Sequence, residues 1–137
     1  MERYTLDSCA LIALFKTEDG ADIVESLLSD ATEGRCIVFM HRLNLTEVYY
    51  NHLRADGKEL ADKYIKAVEN SCINIIDEIT SDLMYKAGEL KVVHRLSLAD
   101  AVAIANSIKE QAILVTSDRH EMESVEKSGD AKFLWIR

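Results

Sequence analysis

The chain has 137 residues and a formal net charge of −8, which leaves room for one compact domain, residues 1–137, burying roughly two-thirds of its unfolded surface. Its 48% hydrophobic and 29% charged content excludes the disordered and collagen-like classes. The acidic balance also argues against a nucleic-acid partner held by Lys and Arg alone, unless a divalent cation supplies positive charge locally.

In chain order, a β-prone run at 3–6 ends at Asp7, and helical spacing follows over 8–16 and 21–31. A second β-prone run at 36–40 precedes helical patterns at 43–55 and 58–70. A third run at 73–76 leads into helices at 81–94 and 97–110. The last three elements are an apolar run at 112–116, a helix at 119–127 and a final run at 132–136. Several of the runs are apolar without alternation, which suits strands covered on both faces. About five short strands separated by helices predict an α/β fold, a parallel sheet flanked by helices. Such sheets bind ligands beyond the carboxyl ends of their strands.

The sequence has no proline, so its turns are expected from Gly and Asx residues. Cys9, Cys36 and Cys72 lack Cys-x-x-Cys spacing and lie in apolar stretches. They read as core residues and are consistent with a reducing, cytoplasmic compartment. The apolar run at 9–15 is too short to span a bilayer, and no signal segment precedes it, so no membrane partner is expected. His41, His52, His94 and His120 show no metal-ligand spacing. Tyr4, Tyr49, Tyr50, Tyr64 and Tyr85 read mostly as packing residues, with Tyr49 or Tyr50 available to stack a base.

Four acids have positions that invite chemistry. Asp7 follows the first strand and stands where an N-cap would. Glu47 lies opposite the apolar stripe of its helix, the usual place for a solvated glutamate. Asp100 is in the first turn of a helix that is apolar almost all round, three residues after Ser97, as in a capping box. Asp118 follows the fourth strand, with Thr116 and Ser117 before it and Glu121 three residues beyond. Capping or solvation explains each acid singly. Together, two strand-end aspartates, one in a buried helix and a glutamate from a neighbouring helix would meet at one sheet edge. Uncompensated carboxylates in one cleft repel, so the cluster makes sense only around a cation.

The segments Leu6-Asp7-Ser8, Leu45-Thr46-Glu47-Val48, Leu96-Ser97-Leu98-Ala99-Asp100-Ala101 and Val115-Thr116-Ser117-Asp118 resemble the PIN-domain family, and most closely its small toxin members of the VapC type. The resemblance runs from Asp7 to Asp118 and implies a PIN-like α/β/α sandwich. It also implies a metal-dependent endoribonuclease using Mg²⁺ or Mn²⁺, with catalytic, metal-binding acids at Asp7, Glu47, Asp100 and Asp118. Ser8, Thr116, Ser117 and Glu121 would stand behind them and orient the carboxylates. Where many members carry a further acid followed by an aromatic, this chain has His120, Glu121 and Met122, which leaves either one ion or a second one served by Glu121 or His120.

For phosphate contact the basic residues near these positions are Arg42, Arg95, Arg119 and His120, with Arg95 and Arg119 foremost. The toxin subtype further implies an RNA substrate, a small antitoxin protein that blocks the cleft, and a homodimer. Two other classes fit a strand-end aspartate. One is phosphatase or phosphotransfer chemistry, although Asp7-Ser8-Cys9 lacks an Asp-x-Asp pair. The other is a non-catalytic protein-binding module whose acids only cap helices.

Overall fold

The computed structural model describes residues 1–137 as a five-stranded sheet with seven helices. The chain runs β1 (Glu2–Leu6), α1 (Ser8–Lys16), α2 (Ala21–Thr32), β2 (Cys36–His41), α3 (Arg42–Asp56) and α4 (Lys58–Glu69). It continues through β3 (Asn74–Ile76), α5 (Ser81–His94), α6 (Leu98–Lys109), β4 (Ile113–Thr116), α7 (Arg119–Ser128) and β5 (Phe133–Trp135). All four strand pairings are parallel, in the order β3-β2-β1-β4-β5. This is the expected α/β/α architecture. The strand order reverses at β1, which has β2 on one side and β4 on the other, and such a switch point opens a crevice at the strand ends.

The strands are apolar because both faces are covered. Leu6, Val38, Met40 and Val115 pack into a core with Leu11, Val24 and Leu45 of α1, α2 and α3. Leu114, next to Val115, points the other way, into a second core with Leu90, Val102, Ile104 and Met122 of α5, α6 and α7. The period of two along β4 therefore feeds two cores. Every α6 residue from Asp100 to Ser107 is buried. Burial does not extend to the first residue of that helix, where Leu98 is 57% exposed at the end of the sheet.

Several helix ends depart from the expectation that Gly and Asx would make the turns. Thr17, Arg95 and Gln111 adopt left-handed backbone with φ of 53°, 57° and 52°, and Thr17 and Arg95 are C-caps. Helix α3 starts at Arg42 because His41 caps it, Nδ1 accepting from the Leu43 N–H at 3.0 Å. The other ring nitrogen, Nε2, donates to the Glu78 carbonyl at 3.0 Å. Of the cysteines only Cys36 is buried, while Cys9 and Cys72 are half-buried, and all three are free thiols. No helix is long and apolar enough to cross a membrane.

Candidate metal centre at the carboxyl ends of β1 and β4

Asp7 leaves β1 directly and is fully buried. Its Oδ1 accepts the Ala10 N–H at 2.9 Å, which caps α1. Its Oδ2 accepts a hydrogen bond from the Thr116 hydroxyl. Burial pushes the Asp7 carboxyl up to about 7, opposed by the bonds from Thr116 and Ala10 and reinforced by Asp100 and Asp118. Both oxygens of Asp7 are thus engaged within the protein, with no exposure to solvent.

Thr116, the last residue of β4, is also fully buried. While donating to Asp7 it accepts the Asp118 N–H at 3.0 Å, so one hydroxyl couples the two strand-end aspartates. Asp118 caps α7, its Oδ1 accepting the Glu121 N–H at 3.4 Å.

The remaining acids arrive from helices on the two sides of the crevice. Glu47 of α3 is half-buried. Its Oε1 accepts from the Ser8 hydroxyl at 2.9 Å and its Oε2 from the Tyr50 hydroxyl at 3.4 Å. Asp100 has its N–H on Ser97 Oγ at 3.1 Å. Its carboxyl is raised to about 6 by burial, then by Asp118, with Glu47 and Glu121 adding to the effect. Asn44, one turn before Glu47, is fully buried and donates Nδ2 to the Ala99 carbonyl at 3.1 Å, which ties α3 to the start of α6.

The four sequence-predicted acids thus share one end of the sheet and act on one another electrostatically. The thiol of Cys9 lies in the same field, raised to about 12 by burial and then by Asp7, Asp118, Asp100 and Glu47. None of the four acids forms an ion pair; the salt bridges of the chain lie elsewhere. No three His, Cys, Asp or Glu side chains are gathered tightly enough to hold an ion as they stand. Chemically the donor set suits a hard divalent ion, since it consists of carboxylate oxygens with hydroxyl support and no basic side chain competes for it.

The basic residues are less concentrated. Arg119 turns away, its Nε donating to the Arg137 carbonyl at 2.9 Å and its guanidinium lying 4.8 Å from the Trp135 ring centroid. Arg42 is held by Glu69 and Asp77, each at 2.6 Å. Arg95, at the left-handed end of α5, and His120, in the first turn of α7, are exposed. Ser117 is half-buried and Glu121 exposed. A cavity of about 320 Å³ between α3 and α4, lined by Arg42, Tyr49, Ile65 and Glu69 among others, contains none of the four acids. Sequence reasoning missed the Asn44 tie and the position of Cys9. The spacing Asn44-x-x-Glu47, which puts both on one turn, was the available signal for the first.

A parallel sheet with buried aspartates at its switch point, backed by hydroxyls and lacking counter-cations, defines an acid-centred α/β protein. A sequence model of the PIN domain matches residues 4–127, and the chain belongs to the PIN-domain family. Among solved structures it is similar to DNA-bound VapBC from Salmonella typhimurium, with 12% identity, a TM-score of 0.75 and 100% of each chain covered. It is also similar to VapBC2 from Rickettsia felis bound to a promoter DNA fragment, with 18% identity, a TM-score of 0.72 and 96% of this chain and 97% of that one covered. A third likeness is to VapC20 from Mycobacterium tuberculosis, described as a Sarcin-Ricin loop cleaving toxin, with 20% identity, a TM-score of 0.64 and 80% and 84% covered. At these identities the likeness is one of fold. No curated protein sequence matches the chain.

Proposed function

We propose that the protein is a metal-dependent endoribonuclease, the toxin of a toxin–antitoxin pair, with Asp7, Glu47, Asp100 and Asp118 as the residues that hold Mg²⁺ or Mn²⁺. The observation that carries this reading is the set of four carboxylates at one crevice with no basic partner, two of them driven by burial and mutual charge toward the protonated form. A purely structural set of caps would not need Asp7 and Asp100 to face Asp118 without compensation. When bound, the ion supplies Lewis acidity that activates water at neutral pH and offsets charge on the phosphate oxygens.

The chain's own groups have separable tasks in this scheme. Thr116 and the Ala10 N–H fix the Asp7 carboxylate, and Ser8 fixes that of Glu47. Such bonds restrict rotation and keep the oxygens aimed at one place. The burial of Asp7 keeps bulk water from its oxygens. Ser117 and Glu121, beside Asp118, are assigned to the same supporting layer. Arg95 and His120 are the exposed basic residues assigned to phosphate contact. Arg119 can join them only by leaving Trp135 and Arg137.

The names of the structural neighbours support a protein partner, since two of them are VapBC. An antitoxin covering the crevice, a homodimer and a cytoplasmic setting complete the reading. The test is cleavage of mixed RNA by purified protein, with Mn²⁺ and with EDTA, beside Asp7→Asn, Asp100→Asn and Asp118→Asn. Cleavage that needs the ion and falls by about two orders of magnitude or more in each variant is expected. Cleavage that persists in EDTA, or is unchanged in the variants, overturns the assignment.

A further inference from the structure

Two of the three free thiols sit together, away from the acids. Cys36 is the first residue of β2 and is buried, and Cys72 stands just before β3 and is half-buried. Their sulfurs reach successive carbonyls of α2, Cys36 Sγ donating to Leu27 and Cys72 Sγ to Leu28, each at 3.5 Å. Both side chains therefore point to the α2 face of the sheet. The parallel register of β2 and β3 pairs Phe39 with Asn74. Carried back two residues, it sets Cys72 beside Ile37, the neighbour of Cys36. With strands about 4.8 Å apart and a rise of about 3.3 Å per residue, this places the two Cα atoms about 6 Å apart, within the span that a disulfide closes.

Cys9 is excluded from such a bond. β1 and β2 are parallel, with Glu2 beside Cys36, so Cys9, which follows the other end of β1, lies across the length of the sheet from the pair. Accessibility distinguishes the two remaining thiols. Thiol–disulfide exchange needs a sulfur that a small molecule can reach, and Cys72 is partly open to solvent whereas Cys36 is only 7% exposed.

We propose that Cys36 and Cys72 form a redox-responsive pair, closing to an intramolecular disulfide when a low-molecular-weight disulfide such as oxidised glutathione is in excess. The Cys72 thiolate attacks one sulfur of the small disulfide, forming a mixed disulfide and releasing the first small thiol. Cys36 then gives up its proton and attacks Cys72 Sγ, and the second small thiol leaves. The protein thus loses two electrons and two protons, and the small disulfide is reduced to two thiols. The new bond closes a loop that contains α3 and α4. Closing a loop mainly restricts the unfolded chain, so the oxidised protein resists unfolding, while the acids, at the opposite ends of the strands, keep their places. This inference does not depend on the nuclease reading.

The experiment treats the reduced full chain with oxidised glutathione, blocks the remaining thiols with iodoacetamide and maps peptides by mass spectrometry without reduction. A peptide linking Cys36 to Cys72 is expected, with Cys9 alkylated. Thermal unfolding of the oxidised protein, followed by circular dichroism, should lie about 10 °C above that of the reduced protein, and dithiothreitol should reverse the shift. Cys9→Ser keeps the shift. Cys36→Ser loses it and stops at a glutathione adduct on Cys72, whereas Cys72→Ser takes up no glutathione at Cys36.

A wild-type map that shows only glutathione adducts, a bond between two chains, or a bond through Cys9 overturns the inference, and it does so even if a serine variant fails to fold. A linked protein whose Tm is not raised overturns it equally, since the bond would then strain the fold rather than restrain the unfolded chain.

Discussion

Replacing Asp7 with asparagine removes a buried charge while keeping the shape of the side chain and an oxygen for the Ala10 N–H. Asp7 is moved from 3.8 to about 7, chiefly by burial. In the folded protein the carboxyl thus holds its proton over a pH range in which the unfolded chain has released it. The folded state binds more protons there, so stability falls as pH rises from about 4 to about 7 and stays low above that. At roughly 1.4 kcal/mol per pH unit, the full penalty is about 4 kcal/mol. For a chain of 137 residues that corresponds to a depression in Tm of about 14 °C.

The assay is thermal unfolding followed by circular dichroism in a chelator, across about pH 3.5 to about pH 8, for wild type and Asp7→Asn. The two should nearly coincide at the acidic end, and the variant should be the more stable by several degrees at the alkaline end. Asp100, raised to about 6, adds to the slope in both proteins, and the comparison therefore reads Asp7 together with its coupling to Asp100. Millimolar Mn²⁺ should remove most of the wild-type penalty, because a cation stabilises the ionised carboxyls, and should do little for Asp7→Asn. Parallel pH profiles for the two proteins in chelator would refute the reasoning, since a buried ionised Asp7 would then carry no cost.

Thr116→Val keeps the shape of the side chain but leaves Asp7 Oδ2 and the Asp118 N–H without their shared partner; chemical denaturation should show a loss of about 2 kcal/mol. Because the Thr116 bond holds the Asp7 carboxyl down, the decline of stability with pH in the same variant should extend to higher pH than in wild type. Asn44→Ala strips the half-buried Ala99 carbonyl of its donor. The expected results are about 2 kcal/mol of destabilisation and weaker Mn²⁺ binding by calorimetry, as α3 and α6 lose their link. Gly20 has φ of +96°, and a Cβ there would meet the Ile136 carbonyl oxygen at 2.6 Å. Gly20→Ala should therefore cost roughly 3 kcal/mol in urea unfolding, from strain and overpacking together.

Much of this molecule was legible in one dimension because its signals are local. The helices expected at 8–16 and 81–94 match α1 and α5 residue for residue, since apolar periodicity and flanking polar residues fix a helix without reference to the rest of the chain. The apolar runs gave the strands for a related reason, burial on both faces. The order of Asp7, Glu47, Asp100 and Asp118 along the chain, and their positions after strands or on helices, were likewise visible as residue types at particular places.

Periodicity says which face of a strand is buried but not which strand lies beside it. Only the tertiary structure puts β4 against β1, pairing Leu6 with Val115, and that pairing brings Thr116 within reach of an aspartate 109 residues away. The same pairing turns two ordinary N-caps into neighbouring charges with a raised Asp7 carboxyl. Folding also decided against Arg119, which its place in the sequence made a phosphate ligand and which the packing of β5 drew to Trp135 and the Arg137 carbonyl. Conversely it left Tyr50 in the open beside Glu47. Exposure is a sum over distant parts of the chain, and no local pattern encodes it.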